Sequence, residues 1–215
     1  MIIAIDGSAA SGKGTLAKRV AAEFGYDYLH TGALYRAVAL SLLNAGANSN
    51  KIDEKQAVNV ASTLNLLLTQ TAEIRTDKVA ALASIVAAIC PVRAELLSLQ
   101  RAFAAAPPSG RGAVLDGRDI GTIVLPDANL KFFIDADLDI RAKRRTKELL
   151  QAEQSVMFRD VLADMKARDD RDRTRSVAPL KAADDAITID TSRMDASAVL
   201  ALALSHIHRV CPSEQ

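Results

Sequence analysis

The chain has 215 residues, with 27 Lys and Arg against 26 Asp and Glu, a formal net charge of +1. That balance argues against general nucleic-acid binding, and no apolar run approaches the length of a membrane span. A hydrophobic content of 49% suffices for a core, and the length suits one domain carrying inserted subdomains.

The first element is an apolar strand, Ile2 to Ile5, closed by Asp6. A chain that opens directly on a strand is expected to lack a signal peptide. Gly7-Ser8-Ala9-Ala10-Ser11-Gly12-Lys13-Gly14-Thr15 follows, and then a helical pattern from Leu16 to Phe24. Gly7, Gly12 and Lys13 meet the spacing G-x-x-x-x-G-K between a strand and a helix, the layout of a P-loop. Glycines there let backbone N–H groups turn toward phosphate oxygens, the helix N-terminus adds partial positive charge, and Lys13 adds a full one. The expectation is a grip on a nucleoside triphosphate. Gly14 stands where a Ser or Thr usually follows the lysine, and Thr15 comes next.

A second strand is expected at Tyr26 to Leu29. It delivers His30-Thr31-Gly32-Ala33-Leu34-Tyr35-Arg36, with Tyr35 and Arg36 expected on the first turn of a helix. From Gly32 to about Pro107 the periodicity is helical, with helices over Lys78 to Ile89 and Val92 to Phe103 split by Pro91. This stretch is too long for a simple crossover and should form its own subdomain. The third strand, Ala113 to Leu115, opens into Asp116-Gly117-Arg118-Asp119-Ile120-Gly121-Thr122, read as a short mixed-charge loop. Arginine's planar fork suits phosphate or a base edge, and loops at the carboxyl ends of parallel strands are where ligands sit.

The fourth strand, Leu130 to Ile134, precedes a charged helical region from Asp139 to Arg175. Arg141, Arg144 and Arg145 share one helix face, and Lys143 and Lys147 read as solvent-facing. Further on, Arg168, Arg171, Asp172 and Arg175 also fall on one face, whereas Asp169, Asp170 and Arg173 point elsewhere. The fifth strand is Ala186 to Ile189. Strands alternating with helices imply an α/β fold, a five-stranded parallel sheet wrapped by helices. Cys90 and Cys211 lack metal-ligand spacing and read as reduced thiols in a cytoplasmic protein. The histidines His30, His206 and His208 show no ligand pattern, and the last two are expected to be exposed.

The residues alone leave several readings: a P-loop kinase acting on a small phosphorylated or hydroxylated acceptor, or an ATP-binding switch without an acceptor. Two long excursions and three arginine groups favour the kinase. Taken together, the P-loop, Thr31-Gly32-Ala33-Leu34-Tyr35-Arg36, Asp116-Gly117-Arg118-Asp119-Ile120-Gly121-Thr122 and the run from Arg168 through Pro179-Leu180 resemble bacterial cytidylate kinases over nearly the whole chain.

That resemblance implies a P-loop nucleoside monophosphate kinase fold. It comprises a core of residues 1–31, 106–148 and 176–215, a monophosphate-binding subdomain of residues 32–105, and a short helical lid of residues 149–175. It implies ATP-dependent phosphorylation of CMP and dCMP by a cytoplasmic monomer, without nucleic acid or membrane. Mg²⁺ would be carried with ATP rather than held by a protein ligand set, with Thr15 the candidate side chain. Gly7, Ser8, Ala9, Ala10, Ser11, Gly12, Lys13, Gly14, Thr15, Arg141, Arg144 and Arg145 would serve ATP. Lys13, Arg118, Arg168 and Arg175 would be catalytic. Thr31, Tyr35, Arg36, Ser84, Arg93, Arg118, Asp119, Arg168, Asp172 and Arg175 would bind the acceptor. Among these, Ser84, Arg93 and Asp119 would read the cytosine edge, and Asp172 would face the ribose hydroxyls. Two departures stand out. Thr31 replaces the family's usual Ser, and the small β-rich insert of the monophosphate subdomain looks shortened between Leu64–Leu68 and Ile74–Thr76.

Overall fold

The computed structural model describes residues 1–47 and 52–210; Cys211 lies outside them. The strands are β1 (Ile2–Gly7), β2 (Asp27–His30), β3 (Ala113–Gly117), β4 (Leu130–Asp135) and β5 (Ile187–Asp190), in one sheet of order β2-β3-β1-β4-β5. Strand β1 pairs parallel with β3 and β4, and β4 with β5. The central strands β1, β3 and β4 are short, mostly apolar and largely buried, as strands covered on both faces require, whereas the edge strands β2 and β5 are only partly buried. Asp116 and Gly117 belong to β3 and not to the loop, because they continue its register opposite Ile5 and Asp6.

The chain divides into two compact units, residues 1–28 with 107–215, and residues 29–106. In the first, α1 (Lys13–Phe24) and α8 (Ala196–Val210) pack on the sheet. Leu16, Ala17 and Val20 of α1 and Val199, Ala203 and Ile207 of α8 share one core with Ile3, Ile5, Phe132 and Ile134. Each large apolar side chain buried there contributes about 1.5–3 kcal/mol. His206 is half-buried, its ring edge-on to Phe132, and His208 lies edge-on to Phe24. The expected free exposure of His206 is therefore corrected: α8 turns that face toward the sheet.

Helices α6 (Leu138–Gln151) and α7 (Phe158–Thr174) form a hairpin in the same unit. Its small core is Ala142, Leu149, Val161 and Met165, and the P-loop residues Ala9 and Ala10 pack against it.

The second unit holds α2 (Thr31–Asn44), α3 (Glu54–Ser62), α4 (Asp77–Val86) and α5 (Cys90–Ala105). Leu34, Val38, Leu42, Leu82, Val86, Val92 and Leu96 build its core. Asp53 caps α3 through Lys55 N and Gln56 N, and Thr76 caps α4 through Val79 N. Two expectations are corrected here. Pro91 does not split the helices; it lies in the first turn of α5, where its missing N–H costs nothing, and the break is at Ala87–Ile89. Because α2 already starts at Thr31, Tyr35 and Arg36 lie in its second turn. The short segment after α3 forms two 3₁₀ turns, Leu66–Gln70 and Glu73–Arg75. Among the described residues no single helix is long and apolar enough to cross a membrane; α4 and α5 pass only jointly, bent by 100°.

Candidate active site

The parallel register brings Gly7, Gly117 and Ile134 to the same end of the sheet, and β4 ends beside β5 with Asp135 opposite Asp190. The loops leaving these strands carry the chemistry. Gly7 sits at φ 149°, and a Cβ there would lie 1.9 Å from the Ile134 carbonyl oxygen, so no other residue lets the loop leave β1 against β4. Gly12, at φ 93°, is the residue before α1, whose first N–H groups it leaves to face a ligand.

Lys13 is the first residue of α1. It is buried, and its ammonium donates to the Ser8 carbonyl at 3.0 Å. Burial, with Arg118 nearby, lowers its pKa to about 7. The Ser8 and Ser11 hydroxyls are fully buried inside the loop and have no hydrogen-bond partner among the described residues. Ala10 takes φ 56°, a left-handed conformation without glycine's freedom. Thr15 is exposed in the first turn of α1.

Beside the P-loop, the end of β3 presents Asp116, fully buried, which accepts from the Tyr28 hydroxyl at 2.8 Å. A side chain at Gly14 would begin 3.5 Å from the Asp116 Oδ2. Arg118 comes next. Its Nε donates to Asp172 Oδ2 at 2.9 Å and its Nη1 to the Gly117 carbonyl at 3.2 Å. Arg168 Nε stands 4.0 Å from the same carboxylate oxygen. Burial opposes ionisation of Asp172, but Arg118, Arg168 and Arg175 outweigh it and hold the carboxyl below the usual range. Arg175 lies 3.8 Å from Asp119 and donates to the Ala178 carbonyl at 2.5 Å. Ala178 is itself left-handed at φ 50°, and Leu180 N returns to the Asp172 carbonyl at 2.7 Å.

The charged helix α7 requires a correction. Its inward face carries Val161, Met165, Arg168, Asp169 and Asp172, while Arg171 is exposed. Asp169, expected to point away, is buried and paired with Arg141 at 2.6 Å. Periodicity alone could not orient the face, because the partner α6 fixes it. Arg175 lies past the end of α7 and reaches Asp119 through the turn, not through the helix face.

The three α6 arginines do different things. Arg141 is buried and donates to the carbonyls of Ala136 at 2.7 Å and Ala9 at 3.3 Å, tying the hairpin to the P-loop. Arg144 donates to Thr191 Oγ1 at 3.0 Å and to the Thr191 carbonyl at 2.6 Å. Arg145 pairs with Glu148 at 3.5 Å. Lys143 and Lys147 are exposed, as expected. Thr191, not singled out from the sequence, donates its hydroxyl to the Ser11 carbonyl at 2.9 Å and so props the P-loop from just past β5. Asp6 was also missed. Its carboxylate accepts from Ile120 N and Gly121 N, each at 2.7 Å. The only signal for it was a lone charge closing an apolar strand.

In the second unit, Arg36 donates to the Ile74 carbonyl at 3.0 Å. Arg93 is buried, donates to the Ala87 carbonyl at 3.2 Å, and lies over the Tyr35 ring at 5.6 Å. Thr31 is buried at the start of α2. The Ser84 hydroxyl on α4 is buried without a hydrogen-bond partner among the described residues.

A phosphate loop between β1 and α1, strand order β2-β3-β1-β4-β5 and arginines around the neighbouring loop define a P-loop nucleoside monophosphate kinase. A solved protein from Eubacterium ventriosum, described as uncharacterized, shares the fold with a TM-score of 0.52 at 18% identity, over 96% of this chain and 98% of that one. The family model for cytidylate kinase matches residues 3–209. The chain is similar to the cytidylate kinase of Paramagnetospirillum magneticum, 52% identical over 96% of this chain and 97% of the relative. That of Rhodopseudomonas palustris is 48% identical over 100% and 99%. The chain belongs to the cytidylate kinase family and is a phosphotransferase, a CMP kinase.

Proposed function

We propose that the site residues divide the work of moving the γ-phosphoryl group of ATP to CMP or dCMP as follows. Residues Gly7 to Thr15 hold the triphosphate, with Lys13 on the transferring group. Arg118, Arg168 and Arg175 neutralise the donor and acceptor phosphates, and Arg36 supports the acceptor. Ser84, Arg93 and Asp119 recognise cytosine, a base with an amino donor beside a ring acceptor. Asp172 recognises the sugar, and Thr31 and Tyr35 line the acceptor pocket. Residues 32–105 act as the monophosphate-binding subdomain and 149–175 as the lid, in a cytoplasmic monomer. The observation that carries this reading is the cluster around Asp172. Three guanidinium groups beside a P-loop form a second anion site, which a switch without an acceptor does not need.

The chemistry is positioning and charge stabilisation. An acceptor phosphate with a second pKa of about 6 is ionised at neutral pH and attacks without a protein base. Arg118 and Arg168 are already oriented by Asp172, so little reorganisation is needed when charge develops. The donor set fits Mg²⁺ arriving with the triphosphate: Asp116 is a buried carboxylate beside Gly14, and Thr15 offers an exposed hydroxyl in the first turn of α1. Bound with the triphosphate, the ion would supply neutralisation of phosphate charge, with Asp116 and Thr15 the residues placed to meet it. The α6 arginines act from the donor side, Arg141 and Arg144 by fixing the P-loop and its prop Thr191, and Arg145 from its half-buried place beside Glu148. A panel of nucleoside monophosphates with ATP and Mg²⁺ tests the reading. CMP and dCMP should turn over fastest, UMP more slowly, AMP and GMP poorly; equal turnover of AMP and CMP would remove the cytosine assignment.

A further inference from the structure

Asp6 is the residue before Gly7 at the end of β1, and its carboxylate is engaged by the turn that follows β3. Its two carboxylate oxygens are divided between two successive backbone N–H groups, Ile120 N on Oδ1 and Gly121 N on Oδ2, both at 2.7 Å. These N–H groups open the π-type turn Ile120–Val124, whose first residues have no carbonyl partner within the turn. The residue before the turn is Asp119, and the one before that is Arg118. Asp6 is buried, and Gly121 is wedged between it and β4. A Cβ on Gly121 would lie 3.0 Å from Lys131 Cδ and 3.5 Å from Asp6 Oδ2. The Lys131 stem cannot easily yield, because its ammonium is held by Asp185 at 2.8 Å and by the Pro126 carbonyl.

We propose that Asp6 is a positioning residue for phosphoryl transfer: its ionised carboxylate clamps the Ile120 and Gly121 amides and thereby sets where Arg118 and Asp119 point. The proposal rests on the roles given above to Arg118 and Asp119. An ionised carboxylate accepts both bonds at once. A protonated one turns one oxygen into a donor, which faces an N–H and loses that bond. Asn in its place has the same defect permanently. The groups facing Asp6 are Asp119 and Arg118 on the clamped loop and the Lys131 stem on β4. Burial pushes the Asp6 carboxyl up to about 7 against the two N–H bonds, so the clamp loosens on mild acidification.

The test combines kinetics with amide spectroscopy on the full chain. In wild type the ¹H–¹⁵N resonances of Ile120 and Gly121 should titrate together with a midpoint near neutrality, and this titration should vanish in Asp6→Asn. In that variant kcat with CMP should fall roughly ten- to a hundredfold, the effect of losing a hydrogen bond to a charged group. ATP affinity measured by calorimetry should stay within about twofold. Gly121→Ala, which presses on the same turn from the Lys131 side, should give the same split and serves if Asp6→Asn does not fold. Unchanged turnover in the folded variants would overturn the proposal even if their stability fell. So would ATP binding lost in parallel with turnover, which would mean that Asp6 merely supports the P-loop. A wild type that does not phosphorylate CMP would instead remove the assignment of Arg118 and Asp119, while the amide titration would still report on the clamp.

Discussion

Lys13 and Asp172 are the residues on which single substitutions speak most directly. Lys13 is buried against its own loop, with its charge directed at the carbonyl of Ser8 until a triphosphate supplies a better partner. Lys13→Ala should cut kcat by a factor of about 10² to 10³, the loss of about 2.7–4 kcal/mol typical of removing one transition-state contact. Steady-state kinetics alongside a circular dichroism spectrum checks it, and near-normal turnover in a folded variant would contradict the P-loop assignment. Asp172 both orders Arg118 and, in the proposed reading, meets the sugar. Asp172→Ala should therefore lower kcat/KM for CMP and dCMP alike through the arginine, and for CMP by about a further tenfold through the lost 2′-hydroxyl contact. An unchanged CMP to dCMP ratio would take Asp172 off the ribose.

At the scale of elements, the α6–α7 hairpin shows what one sequence can and cannot disclose. All five strands were legible, because runs of only a few apolar, aromatic or β-branched residues bounded by polar turns fit strands better than helices. The P-loop was legible because its spacing is short-range. The orientation of α7 was not. Its residues are charged nearly all round, so periodicity offered several faces, and the pairing of Asp169 with Arg141 depends on a helix 28 residues upstream (169 minus 141). Asp6 was invisible for the same reason, since its partners lie 114 and 115 positions away. The corrected face makes a prediction. Asp169→Ala takes the close counterion from buried Arg141 and leaves it only Asp135 at 3.8 Å, and should destabilise the protein by about 3 kcal/mol in urea unfolding. Asp170→Ala, at an exposed neighbouring position, should stay within about 0.5 kcal/mol. Equally small effects at both positions would restore the face expected from periodicity, from which Asp169 and Asp170 both point away.

For the whole molecule, the buried ionisable groups at the two ends of the P-loop, Asp6 and Lys13, make stability depend on pH in opposite ways. Asp6 is raised from 3.8 to about 7, so its folded form holds a proton that the unfolded chain releases. That contribution is complete below 3.8 and is lost as pH rises through 7. Lys13 is lowered from 10.5 to about 7, so the unfolded chain binds the extra proton, and stability rises with pH between 7 and 10.5. The two contributions are together weakest near neutrality, where the unfolded chain holds both groups fully charged and the folded chain each about half-charged. Unfolding of wild type and Lys13→Met by urea at pH 7 and pH 9.5 isolates the second. The difference should move in favour of wild type at the higher pH, and a constant difference would mean that Lys13 does not titrate in that window.

Ala10 carries a consequence of its own. A left-handed alanine costs roughly 1–2 kcal/mol relative to the usual backbone, and here it sits with Ala9 against the apolar core of the α6–α7 hairpin. The hairpin thus shapes the phosphate loop from outside, through methyl contacts and the Arg141 bond to the Ala9 carbonyl. Linkage makes such a relation reciprocal: to the extent that the docked hairpin favours the loop shape that accepts a triphosphate, the triphosphate favours the docked hairpin by the same free energy. Donor affinity in this protein is then a thermodynamic property of two helices as much as of nine loop residues, and drift in the apolar residues of the hairpin would retune it without touching the nucleotide.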